Sequence, residues 1–446
     1  MTEILFELPE TNNQPPEQGK GRPRLETADR QQVGVRFAAL DDLLPEDHRA
    51  RVVWEIANSY DLSRFYARIE AIEGEAGRPA IDPRLLIAVW LYATLEGVVS
   101  ARELGRLCEE HLAYQWLLGG VTVNYHTLAD FRVDYELELD DLLTKSVAAM
   151  MSEGWVTIEK TAQDGMRIRA SAGASSFRRK PTLEGCLYKA KLAVEQQKAM
   201  REASEGDERT PRQRAAQQRH AQERLARVKQ ALEEVEKVAA KKSKNRELKR
   251  KNRPPRASTS DPEARVMKMA DGGFRPAYNG QLTIDMDSRI IIGVEVSNEA
   301  DPRLLEPMLE QIEERYEQPP QEHYVDGGIR SNSGIEHAAE KGIAVFSPIP
   351  IRYSGISSKR PEEIMPKDGP GVRAWKERMQ TEEAKQKYKQ RAATVEWANA
   401  LARNRGLYHF VVRGTRKARA VLLWYALAHN LMQGLNLRLK MQQLAA

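Results

Sequence analysis

The spacing of apolar positions changes character along the chain. From Phe37 onward it is helical, with Leu40, Leu43 and Leu44, then Val52, Val53, Ile56 and Ala57, recurring three and four residues apart. DLSRFYARI opens on Asp61, an N-cap residue type. In IDPRLLIAVWLYATL, Asp82 stands where a cap is needed and Pro83 at the first helical position. The apolar helix predicted to about residue 95 belongs in a core. Ser100 and Glu103 have capping-box spacing, with Leu104, Leu107 and Cys108 turned inward. Shorter helices are expected at about 114–118 and in YHTLADFRVDY, which leaves His126, Thr127 and Arg132 on a polar side. A block of short helices suits either a helix presented to a DNA groove or a bundle that only packs, and both readings stay open here.

At Trp155 the period becomes that of strands, in VTIEK and then TAQDGMRIRAS, where Asp164 ends a β-prone run and Gly165 marks a tight position. Between about 182 and 256 the pattern reads as two charged helices ending in the basic run KKSKNRELKRKNRPPR. YNGQLTIDMD and SRIIIGVEVS then flank Asp287 and Ser288 as a hairpin. A helix carrying Leu305, Met308 and Ile312 follows, then a short strand at 323–325 that delivers Asp326 into the turn at Gly327 and Gly328. A helix at about 334–341, the strand IAVFSPIP, a linker and a long helix complete the order. This alternation predicts an α+β, mixed fold: a mixed sheet with flanking helices, preceded by an all-helical block and interrupted by the charged insert.

Ligand sites in such sheets gather at strand ends near the topological switch point. Asp164 and Asp326 stand at two such ends, and Glu396 lies on a helix able to cross beside both. Wound at about 100° per residue, YKQRAATVEWANALAR puts Tyr388, Arg391, Ala392, Glu396, Asn399 and Arg403 on one arc and Ala393, Trp397 and Leu401 on the other. Taken alone, Glu396 is what a solvated, salt-bridged face would also show.

Charge is unevenly spread. The chain carries a net charge of +5, yet residues 187–256 hold 21 Lys and Arg against 10 Asp and Glu, so the remainder is net acidic. Lys249, Arg250, Lys251 and Arg253 are therefore candidates for phosphate contact, with a solvated hairpin as the alternative. With 41% hydrophobic residues, 446 positions suffice for two or three domains. Cys108 and Cys186 allow no disulfide framework or cysteine metal cluster and suit a reducing cytoplasm. MTEILFELPE has no export signal, and residues 1–34 are expected to be a mobile leader. The apolar run at 421–437 contains His429, Asn430 and Gln433 and reads as a buried helix, so no membrane partner is expected.

Three carboxylates drawn together repel one another unless compensated, and the usual compensation is a hard divalent cation with oxygen ligands. Mg²⁺ is the natural choice, with Mn²⁺ as substitute. Two such ions about 3.5 to 4 Å apart serve in-line displacement at a phosphodiester, and Arg391 and Arg403 are suited to hold substrate phosphates.

Asp164 in QDGMRIRAS, the strand pair YNGQLTID and SRIIIGVEVSNEAD, Asp326 in HYVDGGIRS and Glu396 in YKQRAATVEWANALARNRG together resemble the DDE transposases of bacterial insertion sequences. The helical block from YDLSRFYARIE through YQWLLGG and the closing FVVRGTRKARAVLLWYALAHNLM are similar to the same family, and the likeness runs from about 35 to 432. It implies a ribonuclease-H-like catalytic domain in which Asp164, Asp326 and Glu396 bind two Mg²⁺ ions. Tyr388 and Arg391 match the Tyr and Arg of the family's Tyr/Arg/Glu/Lys signature, and Arg403 stands where a Lys is frequent. The sequence departs from the simplest signature in Arg403 and in having four rather than three residues between Arg391 and Glu396.

The expected layout is a helical DNA-binding domain (35–150), a catalytic domain (151–180 and 257–414), the basic helical insert (181–256) and a C-terminal helix packed on the catalytic domain (415–446). The expected activity is binding of the element's terminal inverted repeats, cleavage at its ends and transfer of the freed 3′-hydroxyls to target DNA. The protein would act as at least a homodimer on DNA, in the bacterial cytoplasm at the nucleoid. A stand-alone nuclease of the same fold and a catalytically silent DNA-binding regulator are the alternatives. His323, Tyr324 and His409 are weaker candidates as bases. Asp261 and Asp285 are expected to support turns or the sheet, and Trp375 to pack rather than stack on a base.

Overall fold

A computed structural model describes residues 37–71, 74, 78–202, 210–244, 254–299, 304–349 and 363–445. Residues 37–43 belong to a unit of their own, closed by a 3-10 turn (Asp41–Leu43) in which the Ala39 N–H donates to the Asp42 carboxylate over 3.0 Å. The unit from Leu44 onward holds the helices and the sheet.

Its amino-terminal part is helical, over Arg49–Ser59, Ser63–Tyr66, Pro83–Leu95, Ala101–Glu110, Leu112–Leu118, Tyr125–Asp134 and Glu136–Ser152. The expected caps form: the Asp82 carboxylate accepts from the Arg84 N–H (2.8 Å) and the Ser100 hydroxyl from the Glu103 N–H (3.4 Å). The largely apolar Pro83–Leu95 helix is buried nearly throughout and packs against the long Thr415–Ala445 helix, where Trp90 meets Trp424 with ring centroids 6.3 Å apart. Arg132, expected on a polar face, is instead buried. Its guanidinium lies 4.7 Å from the Trp90 ring and donates to the Val99 carbonyl. The long apolar helix can use a cation at its surface because the Trp face offers it a partner.

The sheet follows. The strands are β1 (Lys160–Arg169), β2 (Phe177–Arg178), β3 (Ala257–Ser258), β4 (Arg265–Lys268), β5 (Phe274–Asp285), β6 (Ile291–Ser297), β7 (Glu322–Val325) and β8 (Ala344–Phe346). β5 pairs antiparallel with β1 along one edge and with β4 and β6 along the other, and β7 and β8 continue from β1 in parallel. The sheet is thus mixed, and the change from antiparallel to parallel pairing falls at β1. The segment VTIEK, expected as a strand, is not one. Ile158 sits at φ 60° with its N–H on the buried Asp285 carboxylate (3.2 Å), and this turn feeds β1 two residues later. The β5–β6 hairpin forms as expected, with Asp285 also holding Ser288.

The insert is a pair of packed helices, Lys180–Glu202 and Pro211–Lys244, closed at its base by the two-residue β2–β3 pairing. Leu183, Ala231, Val235 and Ala257 give it a small core of its own. The Thr415–Ala445 helix touches both the helical block and β6, where the Asn430 side chain accepts from the Ile291 N–H and donates to its carbonyl, each at 2.7 Å. One hydrophobic core therefore runs from Leu44 through the sheet to Leu431. No helix among the described residues is long and apolar enough to cross a membrane.

Candidate active site at the sheet switch point

Parallel pairing of β1 with β7 ends at Gln163 opposite Val325. The next residue after each is an acid, so Asp164 on β1 and Asp326 in the turn after β7 come close to one another where the parallel pairing ends. Asp164 does not end its strand, as the sequence suggested; β1 continues to Arg169, paired with β5 along this stretch and bridged to His409 at Arg169. Asp326 is exposed in the turn that leaves β7. Gly328 leaves room for it: a Cβ there would lie 3.3 Å from the Asp326 carboxylate. Gly165 is required by crowding, since a Cβ would come within 2.1 Å of the Gln281 amide.

Burial pushes the Asp164 carboxyl above its ordinary range and the charge of Asp326 adds to this, while Arg391 and the Asn399 amide pull it back. The Arg391 guanidinium donates to Asp164 (2.6 Å) and to Glu396 (2.9 Å), and Asn399 donates to the other Asp164 oxygen (2.7 Å). Arg391 is 5% exposed, so its charge is committed to the carboxylates. Tyr388, half buried, donates to the Val325 carbonyl (3.3 Å); the charges of Arg391, Asp326, Glu396 and Asp164 all act on its hydroxyl.

The segment carrying Glu396 is not the single α-helix expected from its periodicity. It runs as Glu382–Lys389, a π-helical turn over Ala392–Glu396, and Trp397–Asn404. A π turn accommodates one more residue than an α turn, so the side chains that flank it stay on one face. This accounts for the four residues between Arg391 and Glu396: five positions apart, they still meet. Trp397 anchors the segment as expected, edge-on to His429 of the long helix at 5.7 Å.

Comparison with known families bears on this geometry. A family model described as a transposase domain (DUF772) matches residues 38–134, and one described as a transposase DDE domain matches residues 367–434. Together they support a DDE transposase of an insertion sequence. No curated protein matches the chain. The second match takes in Arg391, Glu396 and Asn399, while Asp164 and Asp326 precede it.

The remaining expectations divide by location. Arg403 is exposed and lines a cleft that begins at Gly165. Lys249, Arg250, Lys251 and Arg253 lie outside the described residues, as does the leader. His323 is structural: it is fully buried, bonded to Thr161 and Gln163, and pushed by burial down to about 3. Trp375 packs at 1% exposure with its N–H on the Ser347 carbonyl. Asp261 accepts from Tyr278 and the Gly414 N–H, a support role like that of Asp285. The sequence reading missed β4, the β2–β3 clasp and Asn399 as a partner of Asp164. The placement of Asn399 on the Glu396 arc was the available signal for the last.

Asp164, Asp326 and Glu396 could supply the oxygen ligands a hard divalent cation takes, and Asp164 and Glu396 already hold one cationic group between them, the Arg391 guanidinium.

Proposed function

We propose that this transposase binds the terminal inverted repeats of its own element, cuts the DNA at the element ends and joins the freed 3′-hydroxyls to target DNA. The observation that carries the reading is the β1–β7 register, which sets Asp164 beside Asp326, with Glu396 tied to Asp164 through Arg391. The strand order, antiparallel on one side of β1 and parallel on the other, supports a ribonuclease-H-like catalytic domain.

In this proposal Asp164, Asp326 and Glu396 would hold a pair of Mg²⁺ ions, or Mn²⁺ in their place, which would supply activation of the attacking oxygen and stabilisation of the leaving oxygen at the phosphodiester. Asn399 fixes the rotation of Asp164, and Arg391 keeps the carboxylates apart from their own repulsion until that charge is otherwise balanced. In the first step water attacks phosphorus and the P–O3′ bond breaks, releasing a 3′-hydroxyl. In the second, that hydroxyl attacks a target phosphodiester, forming one P–O bond as another breaks. DNA recognition falls to the helical part before residue 150 and to the insert, and synapsis of two ends requires at least two copies of the chain, at the bacterial nucleoid.

The test is incubation of wild type with DNA carrying two element ends and a target, in Mg²⁺. Excised ends joined to target support the proposal. Cuts without joining would favour a stand-alone nuclease, and binding without cuts a silent regulator.

A further inference from the structure

Beside the carboxylates lies a cleft of about 590 Å³ whose cations come from four separate segments. Arg167 and Arg169 extend along β1, Lys268 comes from β4, Arg275 from β5 and Arg403 from the helix that follows Glu396. The one carboxylate in its wall, Asp271, is already paired with Arg275 at 2.7 Å. Arg169, Lys268 and Arg403 are exposed, as is Tyr408, at 61%. Tyr408 is fixed there by the end of β1: its carbonyl accepts from the Arg169 N–H (3.0 Å), and the Phe410 N–H donates back to the Arg169 carbonyl (2.8 Å).

Like charges brought together from distant parts of a chain repel one another, and an open cleft lined by one sign concentrates ligands of the other. A planar ring presented among such cations is the arrangement that binds nucleotides in single strands, phosphates on the cations and a base on the ring. We propose that the cleft from Gly165 to Tyr408 holds the single-stranded DNA adjoining the scissile phosphodiester, with phosphates on Arg169, Lys268 and Arg403 and a base stacked on Tyr408. This deepens the reading above and rests on it. It also gives Arg403 a definite partner and a role to the β4–β5 turn, whose Met269, Ala270 and Asp271 line the cleft.

The test measures affinity of the full-length protein for a fluorescent oligothymidylate, in EDTA so that no cleavage occurs, over a range of salt. Arg169→Ala/Lys268→Ala should weaken binding at least tenfold and lower the slope of log K against log salt by about 1.4, the loss of two phosphate contacts on a single strand. Tyr408→Ala should weaken binding about 5- to 100-fold with the salt slope unchanged, because stacking releases no counterions. Both variants alter exposed side chains, and an unchanged thermal midpoint confirms that they fold. Wild-type affinity and slope in the double variant overturn the proposal. If, in addition, wild type cuts and joins element ends, the cleft assignment alone has failed. If the variants lose binding as expected but wild type never cuts, the cleft stands and the transposition reading falls.

Discussion

Two acidic clusters in this molecule make an instructive pair. Glu306, Glu310 and His337 sit on two neighbouring surface helices with their ligand atoms all within 4.8 Å of one another. By proximity alone this is the better metal site. At the switch point, by contrast, Asp164 and Glu396 are turned onto Arg391, and their oxygens and those of Asp326 do not form so tight a group. The difference lies in what surrounds the charge. The surface carboxylates are about half exposed, where water screens them and leaving them unpaired costs little. Asp164 is largely enclosed, with its proton affinity raised, so its charge must be balanced and the fold supplies a buried guanidinium to do it. A carboxylate whose charge is costly to keep, held by a sheet at its switch point, is the stronger mark of function.

The comparison breaks first at cleavage. Asp164→Asn or Asp326→Asn should lower end cleavage in Mg²⁺ by about 10³-fold or more, the loss of several kcal/mol of transition-state stabilisation. The paired change Glu306→Gln/Glu310→Gln should leave the rate within about twofold. A gel assay of cut ends measures both, and a reversal of the two results would exchange the roles of the clusters.

The π turn allows a sharper version. Inserting one Ala after Thr394 rotates Glu396 by about 100° away from Arg391 and should reduce cleavage as far as Glu396→Ala does. Deleting Ala393, which is exposed, should convert the turn to α-helix and keep cleavage within about tenfold, because Arg391 and Glu396 then stand one α turn apart.

Arg391→Ala removes the balancing charge. Denaturant titration should show a loss of about 3 kcal/mol. Because Arg391 holds the Asp164 carboxyl down, its removal should also move the acidic limb of the pH–rate profile to higher pH. Arg391→Lys should restore part of both, lacking the fork that reaches two carboxylates at once.

The smallest effect concerns His323 behind the site. Its folded-state pKa of about 3 lies below the unfolded value of about 6.5. The unfolded chain therefore binds the extra proton first, and the stability contributed above pH 6.5 declines as pH falls toward 3. His323→Gln should flatten that decline in urea titrations taken across the window, while wild-type slope in the variant would mean another group carries it.

Much of this was legible in the sequence, for physical reasons. The Pro83–Leu95 helix announces its own burial by being apolar at every position but Arg84 and Thr94, and the caps at Asp82 and Ser100 follow from the unpaired N–H groups of any helix start. Two of the proposed acids sit beside a local signal, Asp164 before Gly165 and Asp326 before the Gly327 and Gly328 pair, while Glu396 stood out only by its place on an arc with Tyr388 and Arg391. What escaped were features set by tertiary contact. Arg132 reads as a surface cation until Trp90 is known to face it. The π turn leaves no mark in periodicity beyond one extra residue, and the β2–β3 clasp is too short to carry any pattern. The cleft by Tyr408 was hidden for a related reason: its cations are dispersed along the chain, unlike the run in the insert, and only the fold gathers them.

The most direct test of the central claim is an electron paramagnetic resonance titration of Mn²⁺ into wild type, Asp326→Asn and Glu306→Gln/Glu310→Gln. The switch-point assignment predicts tight binding that disappears in Asp326→Asn and survives intact in the double variant. Binding that survives Asp326→Asn and disappears in the double variant would contradict it.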